Sequence, residues 1–170
     1  MLTARRAVRA HRGFTLVELM VVVAIVAVSA TLAAPSFAQM IANYRVRGAA
    51  DGILGALNFA RTEALRRNTP VAFALSSGGS GWSVSQVATS TTLQSRSAGD
   101  VPGLSVTSSS AATSVTFLAN GLIQSGTQLS ELTVASAVNN ANTRRIHVFG
   151  GGLIRMCDPA VTAASDPRRC

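Results

Sequence analysis

Twenty-one residues, Phe14 to Ala34, carry no charge except one glutamate, Glu18, at the fifth position of the run. Arg5, Arg6, Arg9 and Arg12 precede it and Pro35 follows it. At ~1.5 Å per helical residue the run reaches about 31 Å, enough to cross a bilayer hydrocarbon core of roughly 30 Å. An ionised side chain in a spanning helix costs roughly 2.5–3.5 kcal/mol even on the gentle insertion scales, so Glu18 needs a partner that a lone helix does not supply. The arginines before the run, with no comparable cluster just after it, put the N-terminus in the cytoplasm and the bulk of the chain outside.

A chain of 170 residues leaves room for one further domain of about 100 residues, large enough for a small core. The formal charge of +8 comes entirely from arginine. Four of the fifteen arginines lie before Gly13, so a chain cut there keeps eleven against seven acids, a net +4. That residue of basic charge is a moderate pointer to an anionic partner. Cys157 and Cys170 form an even pair, which in an exported chain reads as a disulfide, two free thiols being the alternative. No metal site is expected, because His11 and His147 have no ligand spacing to the cysteines. Catalysis also finds little support. There is no carboxylate pair at suggestive spacing, and Gly78-Gly79-Ser80-Gly81 is not followed by the lysine and helix of a phosphate-binding loop. No enzyme activity and no cofactor are expected.

Residues 1–13 are short, basic and unpatterned, as a targeting leader is. A secretory signal peptide would be the ordinary reading, and Ser36-Phe37-Ala38 offers a small-x-small cleavage site. The apolar run is nevertheless longer than the 7–15 residues typical of such signals, and Glu18 sits where they are uncharged.

Gly13-Phe14-Thr15-Leu16-Val17-Glu18-Leu19 resembles, without a break, the N-terminal motif of type IV pilins and type II secretion pseudopilins. The likeness extends through the apolar run to Pro35, where that family commonly has a helix-breaking proline. It implies that prepilin peptidase cleaves between Gly13 and Phe14, that the new N-terminal Phe14 is methylated, and that Glu18 is retained. It also implies an inner-membrane subunit with a periplasmic domain, whose partners are other pilin subunits.

After Pro35 the periodicity stays helical and becomes amphipathic. Phe37, Ile41 and Tyr44 share one face; after an offset, Ala50, Ile53, Leu57, Ala60 and Ala64 form another. Ser36 is placed to cap a segment starting after Pro35, and Asn68-Thr69-Pro70 ends it. The spacing predicts one helix of about fifty residues, bent near Pro35 and around Gly48 or Gly52, whose second half needs a sheet over its apolar stripe. From Val71 the pattern changes to period two. Strands are predicted at Val71–Leu75, Trp82–Val87, Thr91–Arg96, Leu104–Thr107, Ser114–Leu118, Leu129–Ala135, Arg144–Phe149 and Leu153–Cys157. Asn120-Gly121 signals a hairpin, and Gly150-Gly151-Gly152 joins the last two strands. The expected class is α+β, a type IV pilin-like fold: leader 1–13, transmembrane and assembly helix 14–34, amphipathic continuation 35–68, and β-rich periplasmic domain 69–170. Trp82, the only tryptophan, is expected to pack in this domain.

Within the pilin-like family the layout resembles the H-type subgroup of GspH, FimT and FimU minor pilins. Three segments carry that likeness: Arg61-Thr62-Glu63-Ala64-Leu65-Arg66-Arg67, the Phe117-to-Gly121 element, and the tail from Arg155-Met156-Cys157-Asp158-Pro159 to Asp166-Pro167-Arg168-Arg169-Cys170. The reading is a minor pilin or pseudopilin that assembles into a type IV pilus or a type II secretion pseudopilus. Glu18 would then set register by pairing with the cationic amine of Phe14 on a neighbouring subunit. An alternative is a pilus-borne DNA receptor, with Arg144, Arg145, Arg155, Arg168 and Arg169 as phosphate contacts. Some FimT-type pilins bind DNA through a Gly-Arg-x-Arg element; here Gly151-Gly152-Leu153-Ile154-Arg155 matches only its last arginine. Arginines bridged to Asp158 and Asp166 are the competing reading.

Overall fold

Helix α1 runs from Leu16 to Arg67, and Pro35 lies inside it. The computed structural model describes residues 13–76, 80–110, 112–126 and 128–170. The leader arginines, and the middle of the turn expected at Ser76–Gly81, lie outside the described residues. The chain divides into two compact units, Met1–Phe37 and Ala38–Cys170.

In the first unit every described residue is exposed. Thr15 caps the helix: its Oγ1 accepts a hydrogen bond from the Glu18 amide at 3.2 Å. Glu18 thus stands three residues after a threonine cap, where a carboxylate also complements the positive end of the helix. Ser29 and Thr31 donate their hydroxyls to the carbonyls of Ile25 and Val28, so these polar groups are satisfied within the helix. Ser36, expected to cap a new segment, instead donates to the Ala33 carbonyl at 2.9 Å. With the helix continuous there is no free N-terminus for Ser36 to cap.

In the second unit the buried line on α1 is Ala42, Val46, Ala49, Ala50, Ile53, Ala56, Leu57, Ala60, Glu63 and Ala64. The spacing of three and four residues makes one continuous stripe. The expected stripe from Ala50 to Ala64 is present, but Phe37, Ile41 and Tyr44 stay exposed and Ala42 and Val46 carry it upstream. A left-handed Asn68 (φ 52°) ends the helix. The Thr69 amide reaches back to the Ala64 carbonyl (3.3 Å) and the Asn68 amide to that of Leu65 (3.4 Å), closing the last turn before Pro70.

Eight strands follow: β1 (Val71–Leu75), β2 (Trp82–Gln86), β3 (Thr92–Arg96), β4 (Leu104–Ser108), β5 (Ser114–Phe117), β6 (Glu131–Ser136), β7 (Arg144–Val148) and β8 (Ile154–Cys157). Each predicted strand is present, with ends shifted by two residues at most. They form two antiparallel sheets, ordered β3-β2-β1-β5 and β4-β6-β7-β8. Period-two alternation predicts strands and faces but not which strands pair. Inward-facing Phe73, Val84, Val115 and Phe117 of one sheet and Leu132, Val134 and Ile146 of the other are fully buried in one core with α1. Each such side chain contributes roughly 1.5–3 kcal/mol of hydrophobic stabilisation. Trp82 is buried and stacks on Phe73, their ring centroids 6.2 Å apart.

Candidate functional site

The candidate assembly element starts at Gly13 and Phe14, which precede the helix. Phe14 is 83% exposed, and Leu16, Val17, Leu19 and Met20 are each more than 60% exposed. The helix is long and apolar enough to cross a membrane, and none of its most apolar stretch is buried. An uncovered apolar cylinder of this length is stable only in lipid or against other apolar surfaces. Glu18 lies on it with no acidic or basic side chain bonded to it among the described residues.

The two looser motifs of the sequence meet in space. Arg61, on the last turns of α1, donates Nε–H to the Gly121 carbonyl at 3.2 Å. Phe117, at the other end of the Phe-x-x-x-Gly element, is buried in the core beneath. The hairpin between β7 and β8 closes on the same spot: Gly152 has φ +78°, and a Cβ there would overlap the Gly121 carbonyl oxygen and lie 3.1 Å from Arg61 Nε. Gly121 is itself left-handed (φ +76°). Glycine at both positions lets two turns and an arginine share one small volume.

Glu63, only 7% exposed, accepts from Arg66 Nε (2.9 Å) and Nη2 (2.7 Å) and also from Arg67 Nε. The hydrogen bonds from Arg66 and Arg67 hold its carboxyl well below the ordinary range, at about 2. The sequence showed these charges at helical spacing but not that the glutamate would be buried. The clamp sets one carboxylate against two guanidinium groups, leaving a net positive charge at the C-terminal end of the helix, where the macrodipole favours it.

At the other end of the second sheet, Cys157 and Cys170 are joined in a disulfide. It ties residues 158–170 back along β8, where the backbones of Asp158 and Arg169 form an isolated parallel β-bridge and the Asp158 amide donates to the Arg168 carbonyl at 2.7 Å. Arg155 donates through Nη2 to the carbonyls of Pro167 (2.8 Å) and Arg169 (3.0 Å). Arg144 pairs with Asp158 at 2.7 Å and Arg168 with Asp166 at 2.7 Å, while Arg145 lies 3.9 Å from Glu131. The Arg168 side chain and backbone hold the Asp166 carboxyl down at about 2. Of the five arginines that suggested a DNA surface, Arg144 and Arg168 are paired with carboxylates and Arg155 with backbone carbonyls, while Arg145 Nε makes no hydrogen bond. The bridged reading fits, and the geometry lends the DNA reading no support.

His147 lies nearer to the cysteines in space than the spacing along the chain suggests. The pairing of β7 with β8 sets His147 opposite Arg155 and Arg145 opposite Cys157. One donor atom each from His147, Cys157 and Cys170 lie within 4.8 Å of one another. The hairpin register sets His147 near Cys157 and the disulfide brings Cys170 to the same place, which the spacing of the residues along the chain does not reveal.

Comparison with known proteins agrees with this architecture. Residues 49–152 match the family model described as Type II transport protein GspH, and residues 8–34 match the Prokaryotic N-terminal methylation motif. No curated protein matches the chain. Among solved structures, the type IV minor pilin FimU of Pseudomonas aeruginosa is similar, with TM-score 0.56 and 23% identity, over 71% of this chain and 93% of that one. The minor pseudopilin EpsH of the Vibrio cholerae Type 2 Secretion System is similar with TM-score 0.54 and 12% identity, over 69% of this chain and 99% of that one. At these identities the two structures speak for the fold, while the GspH model spans more than half of the sequence. The chain belongs to the GspH family of minor pilins and pseudopilins, structural subunits of type IV pili and type II secretion.

Proposed function

We propose that this protein is held in the inner membrane by residues 14–34, with its second unit in the periplasm, and passes from there into a type IV pilus or type II secretion pseudopilus. Prepilin peptidase removes residues 1–13, and the new amine on Phe14 is methylated. Glu18 then pairs with the Phe14 amine of an adjacent subunit. A methylated amine keeps its positive charge, so the pair survives the modification. The observation that carries the reading is the wholly exposed apolar stretch of α1, interrupted by one carboxylate. In lipid that carboxylate lacks a counter-charge; beside a neighbour at one axial offset it gains one. The membrane state is penalised and a single register is favoured.

Mass spectrometry of the protein recovered from membranes and from sheared filaments tests this. The expected N-terminus in both fractions is Phe14 carrying one methyl group. A chain still bearing residues 1–13 in filaments, or one cut after Ala38, would refute the processing step.

A further inference from the structure

We propose that the Cys157–Cys170 pair, once reduced, forms with His147 a site for a thiophilic divalent cation, Zn²⁺ foremost. The three side chains come from separate places: His147 from β7, Cys157 from the end of β8, and Cys170 from the returning tail. Their donor atoms already lie within 4.8 Å of one another. Around a tetrahedral zinc, with Zn–S near 2.3 Å and Zn–N near 2.1 Å, donors sit roughly 3.5–3.8 Å apart. Opening the sulfur–sulfur bond and drawing the imidazole in therefore takes movements of about 1–2 Å, confined largely to the exposed Cys170. A cavity of about 180 Å³ lies against His147, Phe149, Arg155, Cys157 and Cys170, giving room and a path for an ion.

The surroundings suit the task. His147 Nδ1 lies 3.4 Å from a Glu131 carboxylate oxygen, which places an acceptor beside the imidazole as is common for a ligating histidine. The Phe149 ring stacks beside the imidazole, centroids 6.1 Å apart, and limits its rotation. Two thiolates and a neutral imidazole around Zn²⁺ sum to zero charge, which suits a site beside the Arg155 guanidinium. A fourth position stays open to water.

The chemistry balances with a dithiol as reductant. One of its thiolates attacks a cysteine sulfur, the Cys157–Cys170 bond breaks, and the second thiol of the reductant resolves the mixed disulfide. The reductant leaves as its cyclic disulfide, and the protein gains two electrons and two protons as two thiols. Zn²⁺ then displaces those two protons to solvent. The metal would close the same loop that the disulfide closes, so a reduced chain keeps residues 158–170 against β8. The inference is independent of the assembly role.

The test uses the full chain in detergent, reduced with a dithiol and desalted without oxygen, and titrated with Co²⁺ as a spectroscopic stand-in for zinc. The reduced chain is expected to take up one Co²⁺ with thiolate charge-transfer and tetrahedral d–d bands, displaced by Zn²⁺; the oxidised chain takes none. His147→Ala should weaken binding more than ten-fold and alter the d–d bands, and Glu131→Gln should weaken it about ten-fold. In a glutathione redox buffer, zinc should shift the equilibrium toward dithiol at least ten-fold, about 30 mV. Circular dichroism follows folding throughout: if reduction loosens the sheets, zinc must restore them. Absence of cobalt binding by a folded reduced chain, binding unchanged in His147→Ala, or zinc failing to restore a loosened one would each overturn the proposal.

Discussion

Gly152→Ala tests the junction where the Arg61 helix face, the Gly121 turn and the β7–β8 hairpin meet. Two costs arise at this position. The residue has φ +78°, a left-handed conformation that costs an alanine about 1–2 kcal/mol. The added methyl would also overlap the Gly121 carbonyl oxygen, which is backbone and already accepts from Arg61, so relief requires moving a turn; comparable overpacking costs about 1–3 kcal/mol. The sum, about 2–5 kcal/mol, corresponds to a fall in Tm on the order of 10 °C for a domain of this size. Gly151→Ala is the control: a Cβ there meets nothing within 4 Å and its φ is not positive. Thermal unfolding followed by circular dichroism of the full chain in detergent should therefore separate adjacent glycines of one turn. Equal Tm values for the two variants would refute the close-packed junction.

Replacing both Cys157 and Cys170 with serine should cost about 3 kcal/mol by the loop-entropy account and expose residues 158–170 to proteases before the rest of the domain, which limited proteolysis with mass spectrometry would detect. Because the folded Glu63 carboxyl sits at about 2, below its ordinary 4.5, it stabilises the fold fully above pH 4.5 and loses that effect as pH falls toward 2. The Tm difference between the natural protein and Glu63→Gln should accordingly be largest near pH 7 and vanish toward pH 2; a difference that is constant with pH would contradict the clamp. Gly52→Ala should leave Tm unchanged or raise it. The only close neighbour of its Cβ is the flexible tip of Arg96 at 3.0 Å, while alanine gains up to about 1 kcal/mol of helix propensity.

The sequence carried the local structure well because local structure is set by local terms. The change from three-and-four spacing to period two falls at Asn68-Thr69-Pro70, and the helix ends there with Asn68 left-handed. Ala50, Ile53, Leu57, Ala60 and Ala64 are buried as their spacing implies. What stayed hidden depends on register and long-range pairing. The partition into two sheets rests on β5 pairing with β1 and β4 with β6, choices that alternation alone does not encode. The burial of Glu63 follows from tertiary packing, and the approach of His147 to the cysteines from the β7–β8 register and the disulfide. Ser36 failed as a cap because a proline in an otherwise apolar helix removes one amide donor without ending the helix. The five arginines looked like a patch while counted as charges. Placed in space, Arg144, Arg155 and Arg168 have partners.

In the proposed assembly role Glu18 acts through its charge and not through capping the helix. Glu18→Gln separates the two, since glutamine occupies the same place after Thr15, leaves the 3.2 Å amide bond to Thr15 Oγ1 intact and carries no charge. The decisive measurement compares the amount of this variant in membranes and in sheared filaments, with Glu18→Ala alongside. Both variants should show normal processing and membrane levels, with filament incorporation reduced at least ten-fold in each. Wild-type incorporation of Glu18→Gln would contradict that role.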